Sequence, residues 1–157
     1  MIIYKPSDPP SEIIFNLAQV AYEHRKLTSP DAEFILGEWV GLGVGETAQK
    51  ISSGTFVMPA MVYTETGRHD VAESEGVTVV KGSFRLSTMN YVAAQSFAIG
   101  DRVIVTSSGG IGKLASYAAA GNGTYYVIGE VRVPPQVDGV SRLVVDVWAN
   151  PMIVVKS

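Results

Sequence analysis

The chain contains no cysteine and only two histidines among its 157 residues. The missing cysteine excludes a disulfide scaffold, a thiolate zinc centre and a cysteine nucleophile. It also leaves the redox compartment open. Two histidines offer little to a catalytic metal, which takes two or three of them, or histidine with carboxylates at ordered spacing. A basic surplus is lacking too: 12 Lys and Arg stand against 15 Asp and Glu, for a net charge of −3. A nucleic-acid groove or an anionic membrane calls for the opposite balance, so neither partner is expected. No apolar run approaches the roughly 20 residues of a membrane-spanning helix. The opening Met1-Ile2-Ile3-Tyr4-Lys5-Pro6 lacks the basic, apolar and small-residue order of a secretory signal. What remains is 46% hydrophobic and 17% charged, the composition of a folded globular chain, with a length that fits one domain carrying an arm.

Two parts are expected, with a boundary near Asp31: an N-terminal arm and helix over 1–30 and a β domain over 31–157. Residues 1–10 read as an extended arm. Ile2, Ile3 and Tyr4 are apolar, and Pro6, Pro9 and Pro10 bar a helix and push the residues before them to extended backbone. Residues 11–27 read as the one good helix, capped by Ser11 with Glu12 in its first turn. Ile13, Leu17, Val20 and His24 recur at helical spacing, with Ile14, Ala18 and Ala21 beside them. His24, Arg25 and Lys26 fall in its last turn, and Ser29-Pro30-Asp31 stops it.

From there the pattern is short β-like runs: 33–42, 48–52, 56–65, 77–86 with Gly82 as a bulge, 102–106, 113–117, 125–133, 142–148 and 152–155. Gly, Asn and Asp bound them, with Asn122-Gly123 and Asp138-Gly139 as the tightest turn signals. This spacing predicts a mainly β fold, a small barrel or sandwich, rather than alternating βα units.

No motif carries convincing chemistry. Gly41-Leu42-Gly43-Val44-Gly45-Glu46 misses the dinucleotide spacing and reads as a loop between strands. Gly110-Ile111-Gly112-Lys113 ends like a phosphate loop. It has Ser107 where a glycine is needed and Leu114 where Ser or Thr is needed, so it reads as a hairpin turn. His69 with Asp70, Glu73 or Glu75 could supply a base and an orienting acid, but no nucleophile elbow accompanies it. A solvated loop, with Arg68 pairing to an acid, is the simpler reading. Trp39, Trp148, Tyr125 and Tyr126 could form a sugar platform, though single aromatics in apolar strands more often pack in a core. No enzyme activity, cofactor or metal is therefore expected.

Several stretches together carry a resemblance: Gly37-Glu38-Trp39-Val40, Pro59 through Asp70, Val77 through Phe84, Phe97 through Val105 with Gly100-Asp101-Arg102-Val103, Gly112-Lys113-Leu114, Val127-Ile128-Gly129-Glu130-Val131, and Leu143 through Val147. Over residues 33–149 the chain resembles the head decoration, or cement, proteins of tailed bacteriophages. These motifs are strand and turn signatures. The resemblance implies a small β-barrel or β-tulip body on the outer surface of a capsid, made in the host cytoplasm and carried on the virion. It implies the major capsid protein as partner and a homotrimer or homodimer as the assembly. The partner-binding residues expected for such a role are Ile2, Ile3, Tyr4 and Pro6 in the arm and Ile13, Ile14 and Leu17 on the helix stripe. The alternatives are another virion part (tail tube, tail completion or fibre base) or a carbohydrate-binding module.

Overall fold

A computed structural model describes residues 9–27, 33–45, 47–51, 58–63, 70–72, 76–118, 123–135 and 141–156. Runs of β-branched and aromatic residues form the strands. They are β1 (Ser11–Asn16), β2 (Ala21–Leu27), β3 (Glu33–Ile35), β4 (Trp39–Leu42), β5 (Thr47–Lys50), β6 (Met58–Val62), β7 (Asp70–Ala72), β8 (Gly76–Lys81), β9 (Phe84–Thr88), β10 (Arg102–Val105), β11 (Ile111–Lys113), β12 (Gly123–Val133) and β13 (Leu143–Lys156). One short helix, α1 (Leu114–Ala118), lies between β11 and β12 and packs on β10, β11 and β12. The fold is mainly β, as expected.

The strands build a closed barrel, in the order β2-β5-β4-β6-β8, and an open six-stranded sheet, in the order β1-β9-β13-β12-β10-β11. A small pair, β3 and β7, stands apart. Within the barrel β2 and β5 run parallel, while its other pairs are antiparallel. One ribbon joins the two bodies. Its barrel half pairs β2 with β8, and its sheet half pairs β1 with β9. At the passage between them the Leu17 and Ala18 amides both donate to the Ser83 carbonyl, at 2.9 and 3.0 Å.

Strand alternation divides the core in two. Val40, Leu42, Ala60, Val62, Val77 and Val79 fill the barrel with Phe34 and Ala48. Their chain neighbours Trp39, Met61 and Val80 belong instead to the core shared with the sheet, among Phe84, Leu86, Ile128, Val145 and Val147. Each such side chain contributes roughly 1.5–3 kcal/mol when fully buried. The seam therefore couples barrel and sheet strongly.

A polar knot closes one side of this seam. The Ser11 and Thr88 hydroxyls are buried together at 2.6 Å. The Asn90 amide donates to Thr88 Oγ1 at 3.0 Å. Asn90 Nδ2 donates to the carbonyls of Gly37 and Gly109, at 3.1 and 3.0 Å. The Gly109 carbonyl also accepts from the Trp39 amide at 2.8 Å. Asn90 thus ties the turn before β4, in the barrel, to the turn between β10 and β11, in the sheet.

Three local expectations are corrected. The helix read over 11–27 is absent, and β1 and β2 stand in its place. Of the supposed stripe, Ile13 and Val20 pack on the core, while Ile14, Leu17 and Ala21 are exposed. Pairing with β8 and β9, remote in sequence, supplies more than a lone helix with one weak face could. The strand read at 113–117 ends at Lys113 and gives way to α1, whose Leu114 and alanines are strong helix formers. The runs at 142–148 and 152–155 are one strand, β13, with an irregularity in which residues 148–151 stand opposite Ile128 alone.

Candidate interaction surface

β1 is an edge strand of the six-stranded sheet. Its Ile13 side chain reaches the core, and its amide donates to the Tyr63 hydroxyl at 3.1 Å. The register shifts between Ile13 and Phe15. Around this bulge Ile14 is 48% exposed, Phe15 58% and Leu17 39%. The partner-binding residues expected on a helix thus divide: Ile13 is structural, while Ile14 and Leu17 sit on an open, apolar edge. Phe15 belongs with them and was missed, because the helical reading gave it no place on the stripe. Phe15 was visible as the aromatic that closes the three-residue apolar run Ile13-Ile14-Phe15, with Leu17 nearby. Ile2, Ile3, Tyr4 and Pro6 lie outside the described residues.

The solvent face of the same sheet is polar. Phe15, Arg85, Asp146, Glu130 and Arg102 stand in one cross-strand row over five strands. Arg85 donates to both carboxylate oxygens of Asp146, at 2.7 and 3.3 Å, and its guanidinium lies 5.9 Å from the Phe15 ring centre. The hydrogen bond to Asp146 raises the Arg85 pKa above its ordinary value. Arg132 approaches Asp146 from the other side, at 3.5 Å. The row orients charges that would otherwise repel, since Asp146 and Glu130 are directly paired.

On the barrel, Glu23 accepts from Arg25 at 2.7 Å and meets Lys81 at 3.1 Å. The hydrogen bond from Arg25, then that from Lys81, lowers the Glu23 pKa. A lowered folded pKa contributes stability above the unfolded carboxylate pKa, and the contribution is lost as pH falls through the folded value. Glu23→Gln should therefore remove part of the acid sensitivity below about pH 5 and leave the neutral-to-alkaline slope unchanged. Solvent screening keeps the effect within about 1 kcal/mol. Urea titrations of both proteins between about pH 3 and 7 check it; an equal loss of stability at every pH would contradict the linkage.

The other sequence candidates are dispersed. His24 is exposed on β2, beside Gly76. Asp70, in β7, pairs by its backbone with Ile35 of β3, while Arg68, His69, Glu73 and Glu75 lie outside the described residues, as do Asn122 and Asp138-Gly139. The glycine run at 41–45 is the end of β4 and its turn into β5, closed by the Gly43 amide on the Thr47 carbonyl at 3.0 Å. The run at 107–110 is the turn between β10 and β11, closed by the Thr106 amide on the Gly110 carbonyl at 2.9 Å. Among the described residues no three His, Asp or Glu side chains gather as metal ligands.

Trp39 is buried in the seam, which removes it from any sugar platform, and its indole Nε1 has no hydrogen-bond partner among the described residues. Trp148 is half-buried at the irregularity of β13. The two line a narrow cleft between barrel and sheet with Pro59, Val80, Phe84 and Pro151. This cleft is an apolar seam with no gathered charge. No protein-family model matches the chain, and no curated protein matches it with significance.

Proposed function

We propose that this chain is a structural protein of a tailed-phage particle, a decoration protein that binds the outer surface of the head and holds neighbouring major capsid subunits together. The observation that carries the reading is the β1 edge. Ile14 and Phe15 are exposed on β1, whose outer edge is unpaired, Leu17 is exposed just beyond it, and a proline-rich stretch of sequence directly precedes it. An extended segment of capsid protein could add to this edge through its backbone, with the apolar side chains giving specificity. The arm, with Pro6, Pro9 and Pro10, loses less entropy on docking than a flexible one. The resemblance over residues 33–149 favours the same reading. Many copies on a lattice would act together through effective concentration.

The test is quantitative mass spectrometry of purified particles with heads and tails separated. Decoration expects the protein on heads at a copy number comparable to that of the major capsid protein. Confinement to tails would replace the reading with a tail role, and absence from particles would end it. Deleting residues 1–8 should then lower head occupancy about tenfold, a loss of ~1.4 kcal/mol per bound copy. The fold should persist, since the hydrogen bond from the Met89 amide to the Pro10 carbonyl, at 2.8 Å, is retained. Unchanged occupancy would remove the arm from the interface.

A further inference from the structure

Among the described residues, Trp39 Nε1 is the one buried side-chain nitrogen or oxygen without a hydrogen-bond partner. Trp39 is only 3% exposed, so bulk solvent does not serve it. An indole N–H donates and cannot accept. Left bare in the interior it costs more than a hydrogen bond returns, and buried donors are nearly always satisfied by protein or by ordered water. Trp39 lines the narrow cleft between barrel and sheet. The room within that cleft is about 20 Å³. One water needs roughly 10–15 Å³, whereas a cavity that holds benzene measures ~150 Å³. The size therefore admits a single water and excludes an organic ligand or the side chain of a partner.

A water also needs further polar groups, because an apolar cavity stays dry. Apart from the two indoles, Lys81 is the only polar side chain on the cleft wall, so those groups must come from the backbone. The wall includes backbone that has left the ladder. β13 parts from β12 after Val147, which stands opposite Gly129, and rejoins it at Met152, opposite Val127. Trp148, Ala149 and Pro151, from the four residues between, border the cleft, as does Gly82 from the passage between β8 and β9. We propose that the cleft is a binding site for one ordered water, which accepts from Trp39 Nε1 and donates to peptide carbonyls of the 148–151 irregularity. The water is then a second polar tie between the two bodies, apart from the Asn90 knot. Trp39 belongs to β4 of the barrel, and the irregularity belongs to β13 of the sheet. The site also gives the irregularity a role: four residues opposite one supply peptide groups that a regular ladder would consume. The proposal does not depend on capsid binding, and its test needs no phage particle.

Nuclear magnetic resonance of the isotope-labelled full chain tests this. The Trp39 indole proton should show a cross-peak to water that changes sign between laboratory-frame and rotating-frame experiments, the signature of dipolar contact with a water that tumbles with the protein. The chain has two tryptophans, so Trp148→Phe leaves a single indole signal and assigns it. Should that variant misfold, through-bond correlation from the Trp39 backbone assigns the signal in the wild-type chain. A crystal structure of the full chain should show a water oxygen about 2.7–3.2 Å from Nε1. An indole proton with no cross-peak to water means a dry cleft and overturns the proposal. A cross-peak that keeps its sign reports proton exchange with bulk solvent and overturns it too, as does a crystal structure in which a protein oxygen accepts from Nε1.

Discussion

Replacing Gly82 by alanine should destabilise the protein by about 3 kcal/mol or more, near the upper end of single-residue effects. Gly82 lies between β8 and β9, where the ribbon leaves the barrel for the sheet, with φ at +127°. An L side chain rarely adopts that backbone conformation, and here it also lacks room. A Cβ would press on the Gln19 carbonyl and come within 2.9 Å of Val20 Cα. Both obstacles are backbone, so no rotamer change relieves them. They belong to the other strand of the same passage, where Leu17 and Ala18 hold the Ser83 carbonyl. Separating the two chains would loosen barrel and sheet together. Gly45→Ala is the control: its φ of +75° is also positive, but no atom lies within 4 Å of its added carbon. It should cost only about 1 kcal/mol of backbone strain. Urea midpoints at constant m-value separate the two. Equal losses would mean that the passage has slack and that only backbone conformation matters at Gly82.

Asn90→Ala should cost about 2–4 kcal/mol, the second largest effect expected here. The substitution removes two donors at once. The Gly109 carbonyl keeps the Trp39 amide, whereas the Gly37 carbonyl, in a buried turn, loses its bond to Asn90. The penalty comes mostly from that stranded acceptor rather than from the bonds themselves. Asn90→Asp should be comparably harmful, because it places carboxylate oxygen where both carbonyls need a donor. Thermal melting with a Ser107→Ala control, at an exposed residue in the neighbouring turn, provides the comparison. A loss below about 1 kcal/mol for Asn90→Ala would show that water replaces the amide and that the knot does not join the two bodies.

Much of the β architecture was readable because its signals are local. Gly, Asn and Asp punctuate the chain, and alternating apolar residues at Val77 and Val79, or at Val40 and Leu42, report strand faces. The glycine at position 82 was read as a bulge within one run over 77–86, whereas it lies at the passage between β8 and β9. The 11–27 segment misled because its apolar spacing fits a helix while its partners, β8 and β9, lie fifty or more residues away. Helical periodicity is scored from neighbours alone, and strand pairing is not. The same limit hid Phe15. Its exposure follows from a bulge and from β1 lying at the edge, both consequences of pairing.

By itself the sequence determined the class of the molecule: mainly β and without thiol chemistry. Tertiary structure alone decided which strands close a barrel and which form the open sheet, and that one kinked ribbon serves both. It also decided which apolar residues remain outside. Ile153 and Val145 lie on the same strand and are equally hydrophobic in kind, yet one is exposed and the other fully buried. The difference is set by where β9 stops pairing. Burial is a property of what lies opposite a residue, and a strand's neighbours are chosen by hydrogen bonding across the sheet rather than by the residues beside it in the chain.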